Sequence, residues 1–328
     1  MCGVWVLGVL GGMIHVKYLT GLMSSNKSES DTSPSLHDMY VELNKLAGMY
    51  WIVCACKLIE KLEGVEMDKL NEKFNQQVNA LSTNVLVTVF DELGGPLRLL
   101  SLAQLAKFCL PKPQQETFFQ SHIVPQTEKF LETYCLSSFP FWFDMRGVYC
   151  LVCLMSMSGS LDSLLPQHRD FLIDYIYRSQ AILGGFGSGP DAEAHGGYTF
   201  CAIASLKLLD APVPRINRLT RWLEGRIRDT NGRVGKPRDS CYLWWIGASL
   251  VNIGRRDLFD SHQERIKAFI THNFACPETG GISKFPSVAL EGEFAHGKQD
   301  ADLLHTFLGI ATISLINNTI DPLHVLPS

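Results

Sequence analysis

A chain of 328 residues with 46% hydrophobic and 10% aromatic side chains is too apolar to remain disordered. Its 29 basic and 33 acidic residues leave a formal charge of -4 and no basic stripe, which argues against a nucleic-acid backbone as partner. Only 19% of residues are charged, against about 25% in an average domain, so part of the surface is expected to be buried against another molecule.

The chain opens on MCGVWVLGVLGGMIHVKYL, apolar up to Lys17. It lacks the positive leading stretch of a secretory signal. It is also short of the about 20 apolar residues a membrane helix needs, so no stable membrane span is expected. Residues 23–36 are polar and Ser-rich. The reading therefore sets 1–36 apart as an uncertain apolar N-terminus and loop, and takes 37–328 as a single domain. Most of the ten cysteines lie in apolar runs and read as reduced, core-filling thiols of a cytoplasmic protein. Cys150 and Cys153 form a CxxC inside VYCLVCLM, an apolar helical pattern that favours packing over metal or redox use.

From residue 37 the pattern is helical almost throughout, and no run alternates long enough to argue a sheet. LHDMYVELNKLAGMYWIVCACKLIEKL and MDKLNEKFNQQVNAL come first, followed by less regular sequence over 90–145. Beyond that, Gly184, Gly232 and Gly280 stand 48 residues apart and mark a repeat of paired helices. In each pair one helix is amphipathic, as in RLTRWLEGR, and its partner is nearly all apolar, as in CYLWWIGASL. An amphipathic helix can face solvent, whereas an all-apolar one must turn inward. The expected class is all-α. The period alone fits either a closed alpha-alpha toroid or an open solenoid. The one weak glycine-rich piece, GGFGSGP, follows a helix, so a dinucleotide fold has no support.

Asp239 and Cys241 begin one apolar helix directly after a glycine turn, and His305 begins the equivalent helix one repeat later. If adjacent inner helices start side by side, a carboxylate, a thiol and an imidazole converge as three zinc ligands, with a fourth position open for chemistry. The structural alternative is an N-cap, a core thiol and a buried imidazole. Arg146, His195, Arg233 and Lys236 also precede inner helices, where cations and helix N-termini favour an anion. Tyr149, Tyr198, Tyr242, Trp244 and Trp245 follow on the same helices as candidate walls of an apolar cavity. A diphosphate head with a greasy tail fits both parts.

The pieces DMRGVYC, GGFGSGPDAEAHGGYTFCAIASLKLL, GRVGKPRDSCYLWW, GGISKFP and DADLLHTFLG together resemble the beta subunits of the protein prenyltransferases over residues 144–309. The resemblance implies an alpha-alpha barrel paired with an alpha subunit. That assembly moves an isoprenoid from its diphosphate to the cysteine of a C-terminal CaaX sequence, as on small GTPases. By matching position, Asp239, Cys241 and His305 stand as ligands of one zinc per beta subunit. His195, Arg233, Lys236 and Tyr242 stand where the family holds the diphosphate. Arg146, Tyr149, Tyr198 and Trp245 stand in the isoprenoid and peptide wall.

Lys284 occupies the position of an aspartate taken to bind magnesium in the farnesyl enzymes. With Leu308 and Gly309 after His305, this resembles the type I geranylgeranyl pattern, in which a lysine replaces the ion. The farnesyl and the Rab-specific type II patterns are the alternatives. Outside the prenyltransferases stand a helical-repeat interaction protein with an inactive site and a terpene cyclase, which the missing DxDD motif disfavours.

Overall fold

The computed structural model describes residues 36–63, 96–136, 144–276, 280–286 and 300–328. The apolar opening segment, most of the Ser-rich loop and MDKLNEKFNQQVNAL lie outside the described residues. The inner layer consists of α1 (Leu36–Glu63), α2 (Pro96–Cys109), α5 (Met145–Ser158), α7 (Gly196–Leu208), α9 (Cys241–Asn252) and α12 (Leu303–Ile316). Each packs against the next, and α12 returns to pack on α1, so the ring closes. The 48-residue period left closure open; α1 and α2, which lie N-terminal to the Gly184, Gly232 and Gly280 series, supply it.

The inner helices have no polar face to give to water. In α9, Leu243, Trp244, Ile246, Ala248 and Leu250 are all fully buried. Burying one such side chain is worth about 1.5–3 kcal/mol. The outer layer includes α4 (Val124–Leu136), α6 (Pro166–Arg178) and α8 (Ile216–Asp229), which pack on α5, α7 and α9 respectively. α8 shows the sorting most clearly: Leu219, Trp222, Leu223 and Ile227 are buried, while Arg218, Arg221, Glu224 and Arg228 are exposed. Short helices α3 (Lys112–Phe118), α10 (Arg256–Asp260) and α11 (Gln263–Ala268) complete the described α-helices; α3 and α11 run on into π-turns over Phe119–Ile123 and Phe269–Phe274, and a 3-10 turn spans Leu161–Ser163. β1 (Ile282–Ser283) and β2 (Ala301–Asp302), which both follow the last glycine break, pair antiparallel.

Polar residues cap the inner helices at one end of the ring. Asp144 accepts from Arg146 N at the start of α5, and the His195 ring accepts from Gly197 N at the start of α7. Asp302 accepts from His305 N at the start of α12. Such caps satisfy backbone donors that no helical carbonyl can reach.

A short chain segment crosses the other end. β3 (Ile320–Asp321) pairs with β4 (Leu326–Pro327), and the turn between them is held by four helices of the ring. Asn252 of α9, Tyr149 of α5, Gln104 of α2 and Tyr50 of α1 donate to the carbonyls of Pro322, Leu323, His324 and Val325, at 3.0, 2.7, 2.9 and 2.5 Å. All four donors are buried, so losing their acceptors would cost about 1–3 kcal/mol each. This clasp forms a floor under the ring.

Within the floor, His324 Nδ1 lies 2.6 Å from Asp321, and its Nε2 lies 2.9 Å from Ser156 Oγ. Burial alone would raise the Asp321 carboxyl, but bonds from His324 and Leu323 N override it and hold the group below its ordinary value. A depressed carboxyl contributes stability that is present above its unfolded pKa, about 4, and is lost as pH falls through the folded value. Asp321→Asn is therefore expected to lower the melting temperature at neutral pH, with the difference shrinking below about pH 4. A difference that stays constant across that range would mean the charge does not hold the floor.

Candidate functional site

Asp239, Cys241 and His305 come together at the capped end of the ring. One potential ligand atom from each lies within 4.8 Å of the others. Two backbone devices set this up. Asp239 N donates to Thr230 O at 3.1 Å, which fixes the loop before α9, and Asp239 Oδ1 accepts from Cys241 N at 3.0 Å. The β1–β2 pair then carries the GGISKFP segment alongside the start of α12, with Ile282 opposite Asp302. Ser240 N donates to Lys284 O, and Ser240 Oγ to Ser283 O, which ties the two repeats together.

His305 is oriented by Asp302, a residue the sequence reading did not select. Asp302 Oδ2 lies 2.5 Å from His305 Nδ1, which leaves Nε2 to face Asp239 Oδ1 at 3.2 Å. A carboxylate behind a ligating imidazole is the usual way such a ring is held. Its sequence signal was a helix start, with Asp three residues before His in DLLH. Burial alone would lower His305, but the hydrogen bonds it donates to Asp239 and Asp302 raise it to about 9. Burial, with the Asp239 charge added, pushes the Cys241 thiol well above its ordinary value. Burial would raise Asp239, but His305 holds it down. Thiol, imidazole and carboxylate form a donor set suited to zinc, and their candidate ligand atoms lie close enough together to share one ion.

Beside this centre stands a second constellation. Tyr242 Oη lies 2.8 Å from His195 Nε2, and His195 Nδ1 accepts from Gly197 N at 3.1 Å. A backbone N–H can only donate, so Nδ1 is the accepting nitrogen and the ring proton sits on Nε2. Tyr242 Oη thus receives a hydrogen bond from His195 and keeps its own proton for another acceptor. Burial, then repulsion by Arg233, lowers His195 and keeps it neutral. Burial, then Cys241 and Asp239, raises Tyr242 and keeps it protonated. The ring of Tyr242 lies in a slot between two glycines. A Cβ on Gly232 would meet its Cε1 and Cζ at 2.0 Å, and one on Gly196 would meet its Cδ1 at 2.9 Å.

The remaining selected residues are distributed as follows. Arg233 is paired with Glu193 at 3.2 Å, and Arg146 with Asp144 at 2.7 Å; both carboxylates went unremarked in the sequence. Lys236 is exposed in the same loop as Arg233. Tyr198 packs at a tilt against His195, with ring centroids 5.1 Å apart. Trp245 and Tyr149 both pack on Phe200, at 5.1 and 5.4 Å, while Tyr149 also spends its hydroxyl on the floor. Lys284 Nζ stands 3.9 Å from Asp239 Oδ2. Leu308 is 1% exposed and belongs to the packed core behind the rim.

Fold and site together define a closed helical toroid with a three-residue candidate cation site and a cationic, tyrosine-bearing rim at one end. The chain matches the Prenyltransferase alpha-alpha toroid domain over residues 13–326 and belongs to that family. It is 34% identical over 189 residues to the geranylgeranyl transferase type-1 subunit beta of Arabidopsis thaliana, covering 53% of this chain and 45% of that one. It is 40% identical over 115 residues to the protein farnesyltransferase subunit beta of Schizosaccharomyces pombe, covering 33% of this chain and 29% of that one. These matches span less than half of either relative. Among solved structures, Candida albicans protein geranylgeranyltransferase-I complexed with GGPP superposes with a TM-score of 0.71 at 19% identity, over 97% of this chain and 96% of that chain. At that identity the likeness supports the fold alone.

Proposed function

We propose that this chain is the catalytic beta subunit of a cytoplasmic type I protein geranylgeranyltransferase. It would work with an alpha subunit and modify the cysteine of CaaX proteins ending in leucine, such as small GTPases. Asp239, Cys241 and His305 would hold one zinc ion, which supplies chemistry by lowering the pKa of the incoming thiol so that it attacks as thiolate. Asp302 keeps His305 in the ligating orientation. The sulfur forms a bond to C1 of the isoprenoid, the C1–O bond breaks, and diphosphate leaves with the electron pair. Tyr242 donates its free proton as a hydrogen bond to the departing oxygen, while His195 fixes the hydroxyl from behind. Arg233 and Lys236 offset the growing charge, an effect strongest where water is excluded.

The observation that carries the type I reading is Lys284, whose Nζ lies 3.9 Å from Asp239 Oδ2. A cation built into the chain beside the ligand set can do for the diphosphate what a magnesium ion does elsewhere. The farnesyl alternative draws support from the 40% identity with the fission-yeast farnesyltransferase subunit. Competition of farnesyl against geranylgeranyl diphosphate, with peptides ending CaaL and CaaM, separates the two. The chain is assayed with its alpha subunit and without magnesium. Transfer of geranylgeranyl to CaaL is the expected result; a preference for farnesyl diphosphate or a strict magnesium requirement overturns the type I reading.

A further inference from the structure

The outer surface carries a feature that prenyl transfer does not use. Between α6 and the inner helix that follows it, residues 181–184 form a tight turn, with Gly184 N donating to Ala181 O and Ala181 N donating to Gly185 O. Its tip presents Ile182 and Leu183 at 77% and 65% exposure, next to one another. The base of the turn packs closely against the start of α8. A Cβ on Gly184 would lie 2.5 Å from the backbone of Arg218 and Leu219, and one on Gly185 would strike Trp222 at 2.8 Å. Single exposed apolar residues are ordinary, but two adjacent ones on a protruding tip are not.

Arginines surround this tip. Arg215 Nη1 donates to Gln180 O and Arg218 Nη1 to Ile182 O, each at 3.3 Å. These bonds hold the guanidiniums beside the apolar pair. Their acceptors are neutral carbonyls, so the positive charge is not cancelled. Arg221 is exposed one turn further along the same face of α8, and Ile216 is also exposed. Glu224 is the exposed acid of that face. The whole-chain charge of -4 conceals this cluster, which is why no basic stripe emerged from the sequence.

We propose that the 181–184 turn and the adjoining face of α8 dock on an anionic lipid bilayer, with Ile182 and Leu183 entering the interface and Arg215, Arg218 and Arg221 facing the headgroups. Apolar side chains that enter the interface, flanked by cations, are how peripheral proteins hold such a surface. The shape favours this partner over a protein. Protein hot spots fill pockets, whereas a convex tip suits a fluid surface that yields around it.

The test is co-sedimentation of the full chain, co-expressed with an alpha subunit, with vesicles of phosphatidylcholine alone or mixed with phosphatidylserine. Binding to the mixed vesicles, released by high salt, is expected. Each arginine near such a surface contributes about fivefold, so Arg218→Gln with Arg221→Gln lowers partitioning about 25-fold. Ile182→Ser with Leu183→Ser weakens binding even at low salt. Neither pair lies in the catalytic rim, so prenyl transfer to a soluble peptide stays unchanged and reports correct folding. Equal binding to neutral vesicles, or binding to neither kind, overturns the proposal. So does loss of the alpha subunit from the arginine variant on gel filtration, which would make the patch a subunit interface.

Discussion

Cys241→Ala is expected to remove stoichiometric zinc and abolish transfer, while the ring remains folded. In the proposed site the thiol would be one of three protein ligands, and its loss would leave a carboxylate and an imidazole that hold an ion poorly. Changing an outer partner of a metal site costs about 10–100-fold in affinity, and removing a ligand costs more. Asp302→Asn provides that smaller step. It keeps the helix cap, since an amide oxygen still accepts from His305 N, but it removes the charge behind His305. Zinc affinity is expected to fall about 10–100-fold in this variant, and transfer to recover when zinc is added in excess. Because ligands must shed protons to bind, affinity in both wild type and Asp302→Asn weakens as pH drops. Metal analysis of the purified complex and melting with and without a chelator provide the readout. Ligand binding stabilises a fold by mass action, so the chelator lowers the wild-type melting temperature and leaves Cys241→Ala unmoved. Full transfer activity in Cys241→Ala would remove this residue from the mechanism.

The sequence disclosed the later repeats because their physics is local. An all-apolar run such as CYLWWIGASLVN can only be an inner helix, and Gly184, Gly232 and Gly280 mark the breaks between pairs. Folding sets the inner helix starts side by side, so Asp239, Cys241 and His305 could be selected before any coordinates. The N-terminal part of the ring was harder. α1 and α2 close it, yet both lie N-terminal to the evenly spaced Gly184, Gly232 and Gly280 that mark the later pairs. The floor was invisible for a different reason. Residues 320–327 have no periodicity, and what holds them is a set of backbone carbonyls reached by side chains 70 to 275 positions away. Carboxylate partners such as Glu193 and Asp302 escaped because a charge near a helix start reads as a cap or a solvated side chain until its neighbour is known. The cation cluster on α8 escaped because its arginines converge with Gln180 and Ile182 only after folding.

Tyr242→Phe separates binding from bond breaking. The ring stays in its slot between Gly196 and Gly232, so the isoprenoid and peptide meet the same walls. What disappears is the hydroxyl that His195 holds at 2.8 Å. A donor aimed at charge that develops only as the leaving group departs contributes to the rate constant and little to ground-state affinity. Removing one such donor costs about 10²–10³-fold in kcat. The expected result is therefore a fall of that size in single-turnover transfer, with diphosphate affinity changed by far less. Gly232→Ala tests the same contact from the other side. It keeps every catalytic group but places a methyl where the ring of Tyr242 lies, so the ring must move and the His195 bond must stretch. If Tyr242 acts through its placed hydroxyl, Gly232→Ala lowers kcat in the same direction, and the double variant falls no further than Tyr242→Phe alone. Additive losses would show that Gly232 serves the fold of the loop rather than the tyrosine, and an unchanged kcat in Tyr242→Phe would assign stabilisation of the leaving group to Arg233, Lys236 and Lys284.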